Sequence, residues 1–124
     1  MNFDALRALC LSLSDATENL QWEDELCFKV RGKIFAMVSL SSVPQRLVFK
    51  SDPEEFAELL ENEGVVPAPY VGRYKWVMLE SLGALPRTEI ERCIKKSYAM
   101  VAAKAEPRRT RIKKIKRTGK SRNS

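Results

Sequence analysis

The last 18 residues of this chain set the limit of what can fold. Between Pro107 and Ser124 stand nine cations, Arg108, Arg109, Arg111, Lys113, Lys114, Lys116, Arg117, Lys120 and Arg122, and no carboxylate. Ile112 and Ile115 are the segment's only sizeable apolar side chains, so it has almost nothing to bury against its own repulsion. A disordered basic tail over 107–124 is therefore expected, and a fold has to be encoded in residues 1–106. That remainder holds 13 basic and 16 acidic residues, a formal charge of −3, so the total of +6 comes from the tail. A polycation of this density gains affinity for phosphates by releasing their condensed counterions.

About 106 residues suit one domain around a single core. No apolar run approaches the roughly 18 residues that span a bilayer. The start, with Asp4 and Arg7 in an amphipathic stretch, lacks the layout of a signal peptide, and a cytoplasmic location is expected. Cys10, Cys27 and Cys93 are odd in number, and their spacing fits neither a disulfide framework nor a zinc site. Buried free thiols are the favoured reading. Histidine is absent, which removes Ser-His-Asp and Cys-His catalysis and every histidine-ligated metal. The chain reads as a protein without catalytic function, cofactor or metal.

Helical spacing of Phe3, Leu6, Leu9, Cys10 and Leu13 predicts a first helix over 2–14. The polar stretch Asp15 to Asp24 reads as a loop. Strands follow over 26–30 and 33–40, joined by a tight turn at Arg31-Gly32, and a third over 46–50. Asp52 as N-cap, Pro53 and Glu55 supply a capping box for a second helix stopping at Gly64. Strands over 65–70 and 75–80 form a pair whose first member Pro67 and Pro69 confine to an edge or bend. A last helix runs from Pro86 to about Ala103. The order α-β-β-β-α-β-β-α predicts a single α+β domain, an antiparallel sheet packed by helices on one face.

Trp22-Glu23 and the run Phe28-Lys29-Val30-Arg31-Gly32-Lys33-Ile34-Phe35-Ala36 carry a resemblance, as do Phe49-Lys50-Ser51-Asp52-Pro53-Glu54, Pro69-Tyr70 to Lys75-Trp76-Val77, and Ser97-Tyr98. In order and spacing they resemble the MmcQ/YjbR family over most of residues 1–106. The resemblance implies a fold similar to the CyaY/frataxin group and a DNA-binding role of the "double wing" type. Members often carry histidine near the tryptophan-bearing strand; this chain departs from that pattern, having none.

Lys29, Arg31 and Lys33 gather at one hairpin, and Arg73 and Lys75 at another beside Tyr74 and Trp76. Cations interleaved with rings suit nucleic acid, since cations meet phosphates and rings stack on bases or wedge into a groove. These five residues and the nine tail cations are the candidate nucleic-acid ligands. Against this stands the reading of solvated turn charges, with Trp22 and Trp76 in the core. Ser97 and Tyr98 offer hydroxyls to a phosphate, or else simply pack. Asp15, Glu18, Glu23, Asp24 and Glu25 form an acidic cluster that could hold a hard cation, or serve solubility and dock the chain's own tail. The reading is a monomeric, cytoplasmic, non-catalytic nucleic-acid-binding protein, DNA ahead of RNA, with no membrane partner. The alternatives are a protein- or ligand-binding adaptor and a frataxin-like metal binder.

Overall fold

The computed structural model describes residues 1–69 and 71–105; the nine tail cations lie outside the described residues. Helix α1 (Phe3–Leu11) is followed by strands β1 (Ala16–Gln21), β2 (Glu25–Val30), β3 (Lys33–Ser39) and β4 (Leu47–Lys50). Then come α2 (Pro53–Leu59), β5 (Val65–Pro67), a 3-10 turn at Gly72–Tyr74, β6 (Trp76–Leu79) and α3 (Arg87–Lys104). The strands form one antiparallel sheet in the order β1-β2-β3-β4-β6-β5. Helix α3 lies across β2, β3 and β4, α1 packs on β1, and α2 sits beside β6. The α+β expectation holds, with one more strand than the residue pattern predicts.

The extra strand is β1, where polarity predicts a loop. An edge strand is held by backbone bonds on one side and covers little core, so it carries almost no hydropathy signal. Its register, Ala16↔Val30 to Gln21↔Glu25, aims Glu18 at the helix side of the sheet. There the carboxylate meets Arg7 of α1 at 2.5 Å.

Alternation sorts the remaining strands into two faces. On the helix side Phe28, Val30, Val38, Leu47, Phe49, Val77 and Leu79 are fully buried against Leu6, Cys10, Ile90 and Ile94. On the open side the register lines up Cys27, Met37, Val48, Met78 and Val66 across five strands. All three cysteines are buried and free. Burial pushes the Cys10 thiol up to about 12 and the Cys93 thiol to about 11, leaving no thiolate at neutral pH.

A bulge shifts the β2–β3 register after Phe28, so Phe35 and Ala36 both reach the core. The β3–β4 ladder ends at Ala36↔Phe49. The next groups are served by Ser97 of α3, whose hydroxyl donates to the Phe35 carbonyl at 2.7 Å and accepts from the Lys50 amide at 2.9 Å. Ser97 is fully buried, so Ser97→Ala leaves two backbone groups without that partner. A loss of roughly 1–3 kcal/mol is expected, read by chemical denaturation.

Helix α2 starts as predicted: Asp52 accepts from the Glu55 amide at 2.7 Å, and Pro53 opens the first turn. The reciprocal half of the capping box does not form. The Glu55 carboxylate instead meets Arg92 of α3 at 2.5 Å, while Lys96 reaches Asp52 at 2.7 Å. These pairs latch α2 to α3. The hydrogen bond from Lys96 holds Asp52 below its ordinary value of 3.8, and Arg7 and Arg92 hold Glu18 and Glu89 below theirs of 4.5. A carboxylate lowered in the folded state stabilises above its unfolded value and loses that contribution as pH falls through the native one. The melting temperature should therefore be flat with respect to these groups above about pH 5 and fall below pH 4. Asp52→Asn should make the acid limb shallower.

Candidate nucleic-acid interface

Antiparallel pairing brings the two basic hairpins to one end of the sheet. The β2–β3 turn lies beyond the pair Val30↔Lys33, and the β5–β6 connection beyond Pro67↔Val77. The end of β4 comes to the same place, with Lys50 opposite Trp76. So does the last turn of α3, where Lys104 stands beside Lys50 and Arg31 reaches the Ala102 carbonyl.

These elements enclose a cavity of about 440 Å³. Trp22, Lys29, Lys33, Lys50, Trp76 and Lys104 supply its chemistry, together with Gln21, Gly32, Ile34 and Val101. Four ammonium groups and two indoles thus share one concavity, and no carboxylate is among these residues. Burial, then the repulsion from Lys104, holds the Lys50 ammonium below its ordinary pKa. An anion seated between the two lysines would relieve that repulsion. A second depression shares Lys50 and Lys104 and adds Ser51, Tyr74, Lys75 and the single acid Asp52. The surface thereby continues to the other hairpin.

The predicted ligands fare differently. Lys29 and Lys33 line the cavity, and Lys75 lies on its extension. The Lys75 ammonium stands 5.0 Å from the Phe56 ring centroid, a cation–π contact that fixes its stem. Arg73 falls in the 3-10 turn. Arg31 turns back on the fold, meeting Asp15 at 3.0 Å and donating to the Ala102 carbonyl at 3.1 Å. It therefore braces the hairpin against the end of α3.

Two expectations need correction. Trp22 is not core: it is 68% exposed, in the β1–β2 turn, with φ 50 in the left-handed region. Trp76 is half-buried, at the cavity wall. The hydroxyls of Ser97 and Tyr98 are used inside the protein, Ser97 between strands and Tyr98 donating to the Ser14 carbonyl at 2.6 Å. Tyr98 also packs edge-on against Phe35, their centroids 5.4 Å apart.

Lys50 and Lys104 escaped the sequence reading. Each ends an element otherwise judged by its apolar stripe, and only the register puts them side by side. A signal was present in the strict alternation of β4, which turns Lys50 away from the core once Phe49 is placed in it.

The acidic cluster disperses on folding. Asp15 pairs with Arg31, Glu18 with Arg7, Asp24 accepts from the Ser41 hydroxyl and Glu25 from that of Ser39. Among the described residues no three acidic, cysteine or histidine side chains are placed to hold a metal ion. Nor is any helix there long and apolar enough to cross a membrane.

A three-helix, six-stranded α+β domain with an open, basic-ended sheet face is the class that fold and site define. The YjbR family model matches residues 11–100, and the chain belongs to that family. Among solved structures it is similar to a Deinococcus radiodurans protein with a DUF419 domain, at 26% identity and a TM-score of 0.74, covering 85% of this chain and 81% of that one. A Pseudomonas syringae protein shares the fold at 20% identity and a TM-score of 0.69, covering 82% of this chain and 99% of the other. No curated protein matches the sequence.

Proposed function

We propose that this protein binds nucleic acid, DNA ahead of RNA, without catalysing a reaction on it. The carrying observation is the cavity in which Lys29, Lys33, Lys50 and Lys104 surround Trp22 and Trp76 with no carboxylate among them. Ammonium groups held close to one another are poised for a polyanion, and indoles offer faces to bases. Lys75 extends the track, Arg31 positions the hairpin, and the nine cations from Arg108 to Arg122 add affinity that does not depend on sequence. The resemblance to the MmcQ/YjbR family, whose members are described as DNA-binding, favours DNA.

The test is a salt-titrated binding assay with duplex DNA, single strands, structured RNA and polyglutamate. Binding to nucleic acids but not to polyglutamate, with affinity falling linearly on log–log axes, is expected. Equal binding to polyglutamate would reduce the surface to a general anion sponge.

A different observation favours a second reading, an adaptor for a protein or small ligand. The middle of the open face carries a separate cavity of about 530 Å³, walled by Met37, Val48, Met78, Ala68 and Trp22. Saturable binding of an apolar probe there, unaffected by salt, would move this reading ahead.

A further inference from the structure

Trp22 occupies its place at a cost. A bulky residue with φ 50 sits where glycine is the default, and Glu23 after it has φ 72. The ring does not repay the strain through burial, being 68% exposed. Strain of this kind persists where surrounding structure imposes it, and it clusters at binding and catalytic sites. The β1–β2 turn holds the indole over the open face, where it borders both the basic cavity and the apolar one. Next to it the Gln21 side-chain oxygen is buried without a hydrogen-bond partner among the described residues. A buried acceptor of this kind is satisfied when an N–H donor enters beside it.

We infer that the cavity takes an unpaired nucleic-acid strand, its bases stacked on Trp22 and Trp76 and its phosphates on Lys33, Lys50 and Lys104. This rests on the nucleic-acid reading above and narrows it. In a duplex the base faces are occupied by their neighbours, so the exposed Trp22 indole meets only edges and backbone. In a single strand every base has a free face, and stacking on aromatic side chains tolerates any sequence. Unpaired bases also present the N–H groups that Gln21 lacks. The concave volume of about 440 Å³ lies in the range that encloses a small organic ligand, which suits a splayed-out nucleotide.

The experiment uses the full chain, with Trp22→Ala and Trp22→Phe, against oligo-dT, oligo-U and a DNA duplex of equal length at one salt concentration. Binding is followed by anisotropy of a labelled strand and by quenching of tryptophan fluorescence. Single strands should bind tighter than the duplex and quench the indole emission. Trp22→Ala should weaken single-strand binding by about tenfold, in line with the stacking contribution of one base, and weaken duplex binding far less. Trp22→Phe should restore most of the loss, and both variants should melt like the parent because the side chain is exposed. The oligo-dT and oligo-U arms separate DNA from RNA as the source of the strand. If Trp22→Ala alters neither binding, or alters both equally, the single-strand inference falls while the nucleic-acid reading stands. If the unaltered chain binds no nucleic acid at all, that broader reading falls with it.

Discussion

Removing Pro107–Ser124 is expected to make the log–log salt dependence of duplex DNA binding shallower by about 4.5. The figure follows if roughly five of the nine tail cations neutralise phosphates, each worth about 0.9 in the slope. An 18-residue segment spans at most roughly 60 Å, several times the Debye length of about 10 Å at 0.1 M salt. Its cations can therefore meet phosphates beyond any footprint of the folded domain. Affinity should drop by similar factors on unrelated sequences, because phosphate contacts position a protein without reading bases. The melting temperature should hardly move, since Ile112 and Ile115 are the only sizeable apolar side chains the segment has to bury. An unchanged salt slope after truncation would show that the tail is not the anchor, and the adaptor reading would gain.

In the truncated chain, reversing Lys29, Lys33, Lys50 and Lys104 to glutamate should remove most of the remaining salt-dependent binding, leaving only what Lys75 supplies. Four phosphate contacts correspond to a slope of about 3.6 on duplex, and the three made with a single strand to about 2.1. The fold should survive, because these side chains are half-buried or exposed and no described ion pair depends on them. Lys50→Glu alone would replace the repulsion from Lys104 by attraction. Lys95→Glu, an exposed position on α3 outside the cavity, is the matched control and should lower the affinity far less. Equal loss from Lys95→Glu would mean that only net charge matters, and the cavity would lose its special standing.

Where one face of an element is buried, its type and place could be read from the sequence, although α1 ends at Leu11 rather than at 14. Asp52-Pro53 opening α2 and the Arg31-Gly32 turn with φ 46 and 85 are local devices whose chemistry does not depend on distant contacts, whereas α2 ends at Leu59, short of the stop expected at Gly64, whose φ of 83 falls in the turn before β5. Pro67 ends β5 at the sheet edge for a reason equally local. Strand β1 was illegible because its stabilisation is backbone pairing, which leaves no trace in side-chain polarity. Half of the candidate surface was visible as hairpin charges. The other half, Lys50 and Lys104, exists only through the register that sets β4 beside β6 and ends α3 above them. Trp22 was misread because size and apolarity predict burial, and only the backbone torsion of its turn turns the ring outward.

That torsion belongs to a wider pattern. Asp15, Trp22, Glu23, Arg31 and Lys75 all have positive φ without being glycine; Trp22 lines the basic cavity, Lys75 its extension, and Arg31 braces the hairpin beside it. At Trp22, whose ring is exposed, glycine would relax the backbone while deleting the indole. At Arg31 and Lys75 it would also remove the bridge to Asp15 and α3 and the contact with Phe56, so relief is offset there. Selection for heat resistance alone, in the laboratory or in nature, would then favour glycine at position 22 and strip the indole from the surface. A thermostable descendant with an intact core, its braced cations in place and no ring over the sheet is the form that such drift would leave behind.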